Sequence, residues 1–490
     1  MFIKNDDSLM LHTDLYQINM GKVYFEQGLE NRKAVFDLYF RNIPFRNGYA
    51  VFAGLERIVQ YLENFKFSVS DIEYLKEEGY DDAYLDYLKN LKFTGDVRSV
   101  KEGEIVFNNM PLLQIEAPII QAQLIETALL NIVNYQTLIA TKANRIRQIV
   151  PNDTLMEFGT RRAHEMDAAI WGARASIIGG FDGTSNVRAS KLFNVPASGT
   201  HAHSMIQAYG DDYTAFKAYA ETHKNCVFLV DTFDSLKSGV PNAIKVAKEM
   251  GDKINFIGIR LDSGDIAYLS KQARKMLDAA GFEGAQIIVS NDLDEVTIMS
   301  LLQQGAKVDS WGIGTKLITA YDQPALGAVY KLSAIENDEG ELENRIKISG
   351  DPEKLTTPAK KNIYRIINKS TGMSEGDYIT AFEETIDENE PLLMFHPVYT
   401  MKRKRVRNFE KVELLHDVYK DGQCVYEHES IEEMTARMNR GLDLLWEEYK
   451  RFLNPEKYPV DLSTNLWNIR QDLINKVNDE MDEEYDGQTT

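Results

Sequence analysis

Ile257-Gly258-Ile259-Arg260-Leu261-Asp262-Ser263-Gly264-Asp265 decides how the chain is read. It opens as a short apolar strand and ends in charged, hydroxyl and glycine residues. The pattern then turns helical, with Asp265 as the cap and Tyr268, Ala273, Met276 and Leu277 on one face. Other segments end the same way: Leu155-Met156-Glu157-Phe158-Gly159-Thr160, Phe181-Asp182-Gly183-Thr184-Ser185, Val227-Phe228-Leu229-Val230-Asp231-Thr232, Ile287-Ile288-Val289-Ser290-Asn291-Asp292 and Trp311-Gly312-Ile313-Gly314-Thr315. Helix-sized segments separate most of them, which is the rhythm of βαβ units. Strand C-termini in such a sheet share one face, and ligands bind there. With Pro196-Ala197-Ser198 and Val329-Tyr330-Lys331-Leu332 included, the strand count reaches about eight, and a closed or nearly closed β/α barrel fits better than an open sheet.

The rest of the chain lacks this rhythm. Residues 1–150 read as a mixed α+β domain, with an alternating strand at Ala34-Val35-Phe36-Asp37-Leu38-Tyr39-Phe40. Paired strands follow over 98–116 around Asn108-Asn109, then a long amphipathic helix over 119–149. Residues 151–350 hold the barrel. Residues 351–490 open on a turn at Asp351-Pro352-Glu353-Lys354 and mix strands (364–367) with helices (431–454). This last region is expected to pack with the N-terminal domain and to end in an acidic, solvated tail over 479–486.

Composition narrows the function. The 490 residues carry 55 Lys and Arg against 75 Asp and Glu, a formal charge of -20, which argues against a general nucleic-acid binder. Anionic substrates would need local cations. The two cysteines, Cys226 and Cys424, are far apart and in no metal-ligand spacing. The start, Met1-Phe2-Ile3-Lys4-Asn5-Asp6-Asp7, has no apolar signal core. The most apolar stretch, 117–133, is broken by Gln121, Gln123 and Glu126, so no membrane span is expected. A cytoplasmic protein is the expectation.

The chemistry gathers at the strand ends. In Gly199-Thr200-His201-Ala202-His203-Ser204, the glycine, threonine and serine place His203 at a helix N-terminus, where backbone N–H groups favour an anion. An imidazole nucleophile that becomes phosphorylated suits that place. The competing reading is a metal-dependent barrel hydrolase using His201 and His203, which would need further ligands from other strand ends. Period 2 sends Arg260 and Asp262 to one side. Arg260 would grip a carboxylate or phosphate, or else form a structural ion pair with Asp262. Asp262 and Asp231 would hold Mg²⁺ through water, and with it the substrate's phosphates. Gly312-Ile313-Gly314-Thr315 suits a phosphate nest of backbone N–H groups. Phe158 can offer a ring face to a flat ligand, and Arg161 and Arg162 leave their strand toward the same face. Lys402-Arg403-Lys404-Arg405-Val406-Arg407 matches a nuclear-import or polyanion patch by pattern, but on so acidic a chain it reads as an exposed strand or loop with alternating charges.

These motifs, with Leu11-His12-Thr13-Asp14-Leu15-Tyr16-Gln17 and Asp351-Pro352-Glu353-Lys354, resemble in order those of the nicotinate phosphoribosyltransferase family across nearly the whole chain. The resemblance implies a type II phosphoribosyltransferase: an incomplete or irregular β/α barrel with a mixed α+β domain formed from the N- and C-terminal parts. It implies a homodimer with shared active sites. The implied reaction joins nicotinate to phosphoribosyl pyrophosphate, giving nicotinate mononucleotide and pyrophosphate with ATP hydrolysis, and begins a route to NAD. His203 would be phosphorylated by ATP. Tyr16 from the partner subunit and Phe158 would sandwich the pyridine. Thr200 and Arg260 would contact nicotinate, with Arg161 close by. Asp231 and Asp262 would serve Mg²⁺–pyrophosphate, and Gly314 and Thr315 the 5′-phosphate. The nicotinamide-using relative has an aspartate where this chain has Ser185, so the acid is the favoured substrate and the amide the alternative. Quinolinate would call for more cations than these motifs provide.

Overall fold

The computed structural model describes residues 9–350 and 355–489, with side chains as far as 481. The turn expected at 351–354 and the polar start at 1–7 lie outside these residues. One compact unit is Ile139–Pro324; the other combines the described residues up to Leu138 with those from Ala325 onward. The first boundary falls at 138, inside the helix Glu126–Ile149, and not at 150. The second falls at 324 and not at 350, because Ala328–Glu336 pairs antiparallel with Lys33–Phe40. The expected helix over 119–149 is two, Ile119–Leu124 and Glu126–Ile149.

The Ile139–Pro324 unit holds a parallel half-barrel sheet, six-stranded among the described residues. Its order is Gly183–Thr184, Thr154–Glu157, Ser310–Ile313, Gln286–Asn291, Asn255–Leu261, Asn225–Leu229. The last strand in sequence returns beside the first, so every C-terminus opens on one face. Leu155, Ile259, Leu261, Ile287, Val289 and Ile313 are fully buried. Each such side chain contributes about 1.5–3 kcal/mol by leaving water. Trp311 is also fully buried, with its indole Nε1 donating to Asp153 Oδ2 at 2.8 Å.

Among the described residues the closed barrel of about eight strands does not form. Residues 196–198 supply only an isolated bridge from Ala197 to Thr184, as Pro196 brings no N–H to a ladder. Residues 329–332 belong to an antiparallel sheet, held in register by Phe36 stacked on Tyr330 with centroids 4.7 Å apart. The helix Ile266–Ala279 is capped by Asp265 as expected, its side chain accepting from the Tyr268 amide at 2.9 Å. Its buried side includes Ala273 and Leu277, whereas Tyr268 is 51% exposed and so not on it.

The other unit joins both ends of the chain in one antiparallel sheet. There the strands Lys33–Phe40, Leu113–Pro118 and Asp96–Ser99 lie between Ala328–Glu336 and His416–Lys420. A second sheet carries Phe409–Glu413, Lys361–Asn368, Ser374–Ala381 and Val460–Leu462. Fully buried Arg365 donates to both Asp377 oxygens (2.9 and 3.0 Å), to Glu104 Oε1 (2.5 Å) and to the Ile105 carbonyl (2.7 Å). Such a charge is tolerated only with its partners in place. The expected helix over 431–454 is Ile431–Asp443 plus the short Glu447–Lys450. The segment 479–486 continues the helix Thr464–Thr489, exposed as far as Met481, and its further side chains lie outside the described residues. Among the described residues no helix is long and apolar enough to cross a membrane.

Candidate active site

The strand-end groups meet as one connected cluster. Arg260, two residues before Asp262 on the same side of its strand, brings Nη2 to 3.7 Å from Asp262 Oδ1. Its Nη1 donates to Thr200 Oγ1 at 3.2 Å, while its buried Nε has no partner among the described residues. Burial lowers the guanidinium's proton affinity, the Asp262 and Asp231 carboxylates oppose this, and Arg161 adds a like charge. Asp231, just past Asn225–Leu229, accepts at Oδ2 from the Asp262 amide (3.0 Å) and from Ser263 Oγ (2.5 Å). Its Oδ1 is buried and unpartnered among the described residues. Ser290 Oγ donates to Asp262 Oδ1.

His203 opens the helix His203–Tyr209, as its flanking residues imply. Its Nδ1 lies 3.0 Å from Thr232 Oγ1 and its Nε2 3.8 Å from Asp262 Oδ2. If Nδ1 carries the proton and donates to Thr232, Nε2 presents its lone pair beside the carboxylates. His201 points elsewhere. Its Nε2 accepts from the Leu229 amide at 3.4 Å, and its ring packs near Tyr219 and Phe216, with centroids 5.1 and 6.0 Å away. The two imidazoles therefore share no site, and the His-x-His metal reading is overturned.

Phe158, partly exposed, lies over Gly312, where a Cβ would come within 2.4 Å of its Cδ2. Gly312 is thus required for ring packing, and only Gly314 serves the turn, as N-cap of Thr315–Ile318. Ser185 is exposed past Gly183–Thr184, its amide donating to the Glu157 carbonyl at 2.9 Å. Arg161 and Arg162 are exposed. Tyr16 lies in the other unit, on the helix Leu15–Glu26, and is 50% exposed.

Several contributors escaped the sequence reading. Thr232, Ser263 and Ser290 orient His203, Asp231 and Asp262; their signal was a hydroxyl beside or opposite each strand-end acid. Glu157 is fully buried, accepting from the Gly159 amide and from Thr184 Oγ1 (2.6 Å), and burial raises its pKa. It braces the Phe158 turn. Among the described residues no three His, Cys, Asp or Glu side chains form a metal-holding group. Two carboxylates with one free, buried oxygen do fit a hydrated Mg²⁺, which keeps most of its waters.

Fold and site together define an α/β scaffold that collects anion-binding and imidazole groups on the C-terminal face of a parallel half-barrel. The description "Nicotinate phosphoribosyltransferase (NAPRTase) family" matches residues 154–383. The corresponding N-terminal and C-terminal domains match 11–134 and 360–470. The chain is 61% identical to "Nicotinate phosphoribosyltransferase" of Bacillus subtilis (strain 168) over 482 residues, 98% of each chain. It is 32% identical to the Homo sapiens protein of that name over 527 residues, 95% of this chain and 96% of that one. The structure is similar to "human Nicotinic Acid Phosphoribosyltransferase" with a TM-score of 0.84 at 30% identity, covering 94% of this chain and 99% of that one. This chain belongs to the nicotinate phosphoribosyltransferase family.

Burial, then the nearby Arg260, lower the His201 pKa from 6.5 to about 4. The folded state holds this ring neutral, while the unfolded chain takes up a proton below pH 6.5. Its contribution is therefore complete above pH 6.5 and is lost as pH falls from 6.5 toward 4, amounting to about 3 kcal/mol. Denaturant unfolding across that window should show this loss, and His201→Gln should remove this component of the pH slope. An unchanged slope would place His201 in solvent.

Proposed function

We propose that the chain converts nicotinate and phosphoribosyl pyrophosphate to nicotinate mononucleotide and pyrophosphate, feeding NAD biosynthesis, with ATP hydrolysed through a phosphohistidine. The half-barrel is then the incomplete β/α barrel of a type II phosphoribosyltransferase. The observation that carries the reading is the continuous chain Thr232–His203–Asp262–Arg260–Thr200, beside the unpartnered oxygen of Asp231.

The pyridine nitrogen attacks the ribose anomeric carbon with its own lone pair as the bond to pyrophosphate oxygen breaks, so no general base is needed. Positioning and charge stabilisation supply the catalysis. Phe158 offers one face to the pyridine, and the partner subunit's Tyr16 covers the other in a homodimer. Tyr16, Leu15 and Val23 are 50, 63 and 56% exposed on one helix, which suits such an interface. Thr200 and Arg260 hold the nicotinate carboxylate, with Arg161 adding positive charge nearby. Gly314 and Thr315 hold the 5′-phosphate. Asp231 and Asp262 would hold Mg²⁺ through water, and the bound ion would neutralise the departing pyrophosphate. His203 Nε2 attacks the terminal phosphorus of ATP, ADP leaves, and water later cleaves the N–P bond. Thr232 keeps Nδ1 occupied so that Nε2 is the reacting nitrogen. The two cysteines, both free, suit the reduced cytoplasm.

Mononucleotide formation from nicotinate and from nicotinamide, each with and without ATP, tests the reading. The acid should be used and ATP should accelerate it. In His203→Ala, ATP hydrolysis should vanish while slow ATP-independent product formation remains. Unchanged ATP turnover would refute the phosphohistidine. Ser185→Asp should shift the ratio of kcat/KM toward nicotinamide by about tenfold or more, as a fixed carboxylate repels the acid and accepts from the amide. An unchanged ratio would remove Ser185 from substrate choice.

A further inference from the structure

A cavity of about 440 Å³ lies within the unit built from the two chain ends, and nothing in the proposed reaction uses it. Lys402, Arg403, Lys457 and Arg470 line it, with Glu456 and Asp461 as facing acids. The basic run at 402–407 supplies the first two of these cations. Its strand Arg403–Val406 pairs with Leu392–Phe395 and is exposed in part. Lys404 of that run is already matched, its Nζ donating to Glu375 Oε2 at 2.7 Å. Lys402, Arg403, Lys457 and Arg470, by contrast, enter no ion pair among the described residues.

Arg470 is the strongest sign of a ligand. It is 6% exposed, one Nη donates to the Pro397 carbonyl at 2.6 Å, and its buried Nε has no partner among the described residues. Burial lowers its proton affinity, and among the described residues no carboxylate offsets it. A buried guanidinium without a counter-charge is costly, and an arriving anion removes that cost. The loop beside it is already organised. His396 Nδ1 accepts from the Val398 and Tyr399 amides at 3.1 and 3.0 Å, and Trp467 Nε1 donates to the Pro397 carbonyl at 3.1 Å. Asp461 keeps its charge at neutral pH, as burial raises its pKa only to about 6, so it offsets one of these cations.

We propose that this cavity binds a small phosphorylated molecule carrying two or more negative charges. Lys402, Arg403, Lys457 and Arg470, joined by Arg41 on the same lining, outnumber the two acids by more than one carboxylate can satisfy. Met394, Val398, Tyr399 and Leu462 provide an apolar wall for the body of such a molecule. The volume is that of a small-molecule site, and the chain's charge of -20 opposes a long polyanion.

Inorganic tripolyphosphate titrated calorimetrically into the full chain at low salt tests this. Arg260→Gln serves as the background, so that uptake at the strand-end cluster does not enter. Binding should persist in Arg260→Gln and weaken about tenfold or more when Arg403→Ser and Lys457→Ser are added, both being exposed positions. Arg470→Gln should abolish it. Binding unaffected by the Arg403→Ser/Lys457→Ser pair would overturn the proposal. So would no binding in either background, or uptake of a single-stranded oligonucleotide but not tripolyphosphate. The assay reads no turnover, so its outcome is independent of the proposed reaction.

Discussion

Asp231 is the tie on which the strand-end site depends. One of its oxygens is consumed by the Asp262 amide and the Ser263 hydroxyl, stitching two neighbouring strand ends together. The other is buried and left without a donor among the described residues. A buried carboxylate oxygen in that condition carries a desolvation cost that a cation or hydrogen-bond donor would relieve. The same stitch fixes where Asp262 stands, and Asp262 in turn sits between Arg260 and His203. Geometry for binding and geometry for reaction are therefore held by one short network.

The parallel sheet makes that network possible. Arg260, Asp262, Asp231 and Ser290 come from three different strands, and only a common direction brings their ends to one face. Gly258 lets the Arg260 strand run close to its neighbour, for a Cβ there would meet the Gln286 carbonyl at 2.0 Å. Positive charge is concentrated locally against an overall charge of -20, so anions are drawn to particular pockets and not to the surface at large.

Much of this was legible in the sequence, for physical reasons. Acid, hydroxyl and glycine at the end of an apolar run mark a strand that stops at a solvent-facing site, and the period of 2 placed Arg260 beside Asp262. The Asp265 cap was readable because its side chain serves the amide three residues on. Closure of the barrel was misread because Val329 and its neighbours form a good strand in either sheet, and only the stacking of Tyr330 on Phe36 decides between them. The fates of His201 and His203 were not separable by spacing alone. That His201 turns toward Leu229, Phe216 and Tyr219 depends on residues distant in sequence. Gly312 looked like half of a phosphate nest, whereas Phe158 needs its empty Cβ position.

The strand-end site depends on the negative charge at Asp231. Calorimetric binding of phosphoribosyl pyrophosphate with Mg²⁺ to Asp231→Asn isolates it, because asparagine can still accept from the Asp262 amide and Ser263. We expect affinity to drop about tenfold or more with the thermal midpoint preserved. Full affinity in that variant would contradict the account.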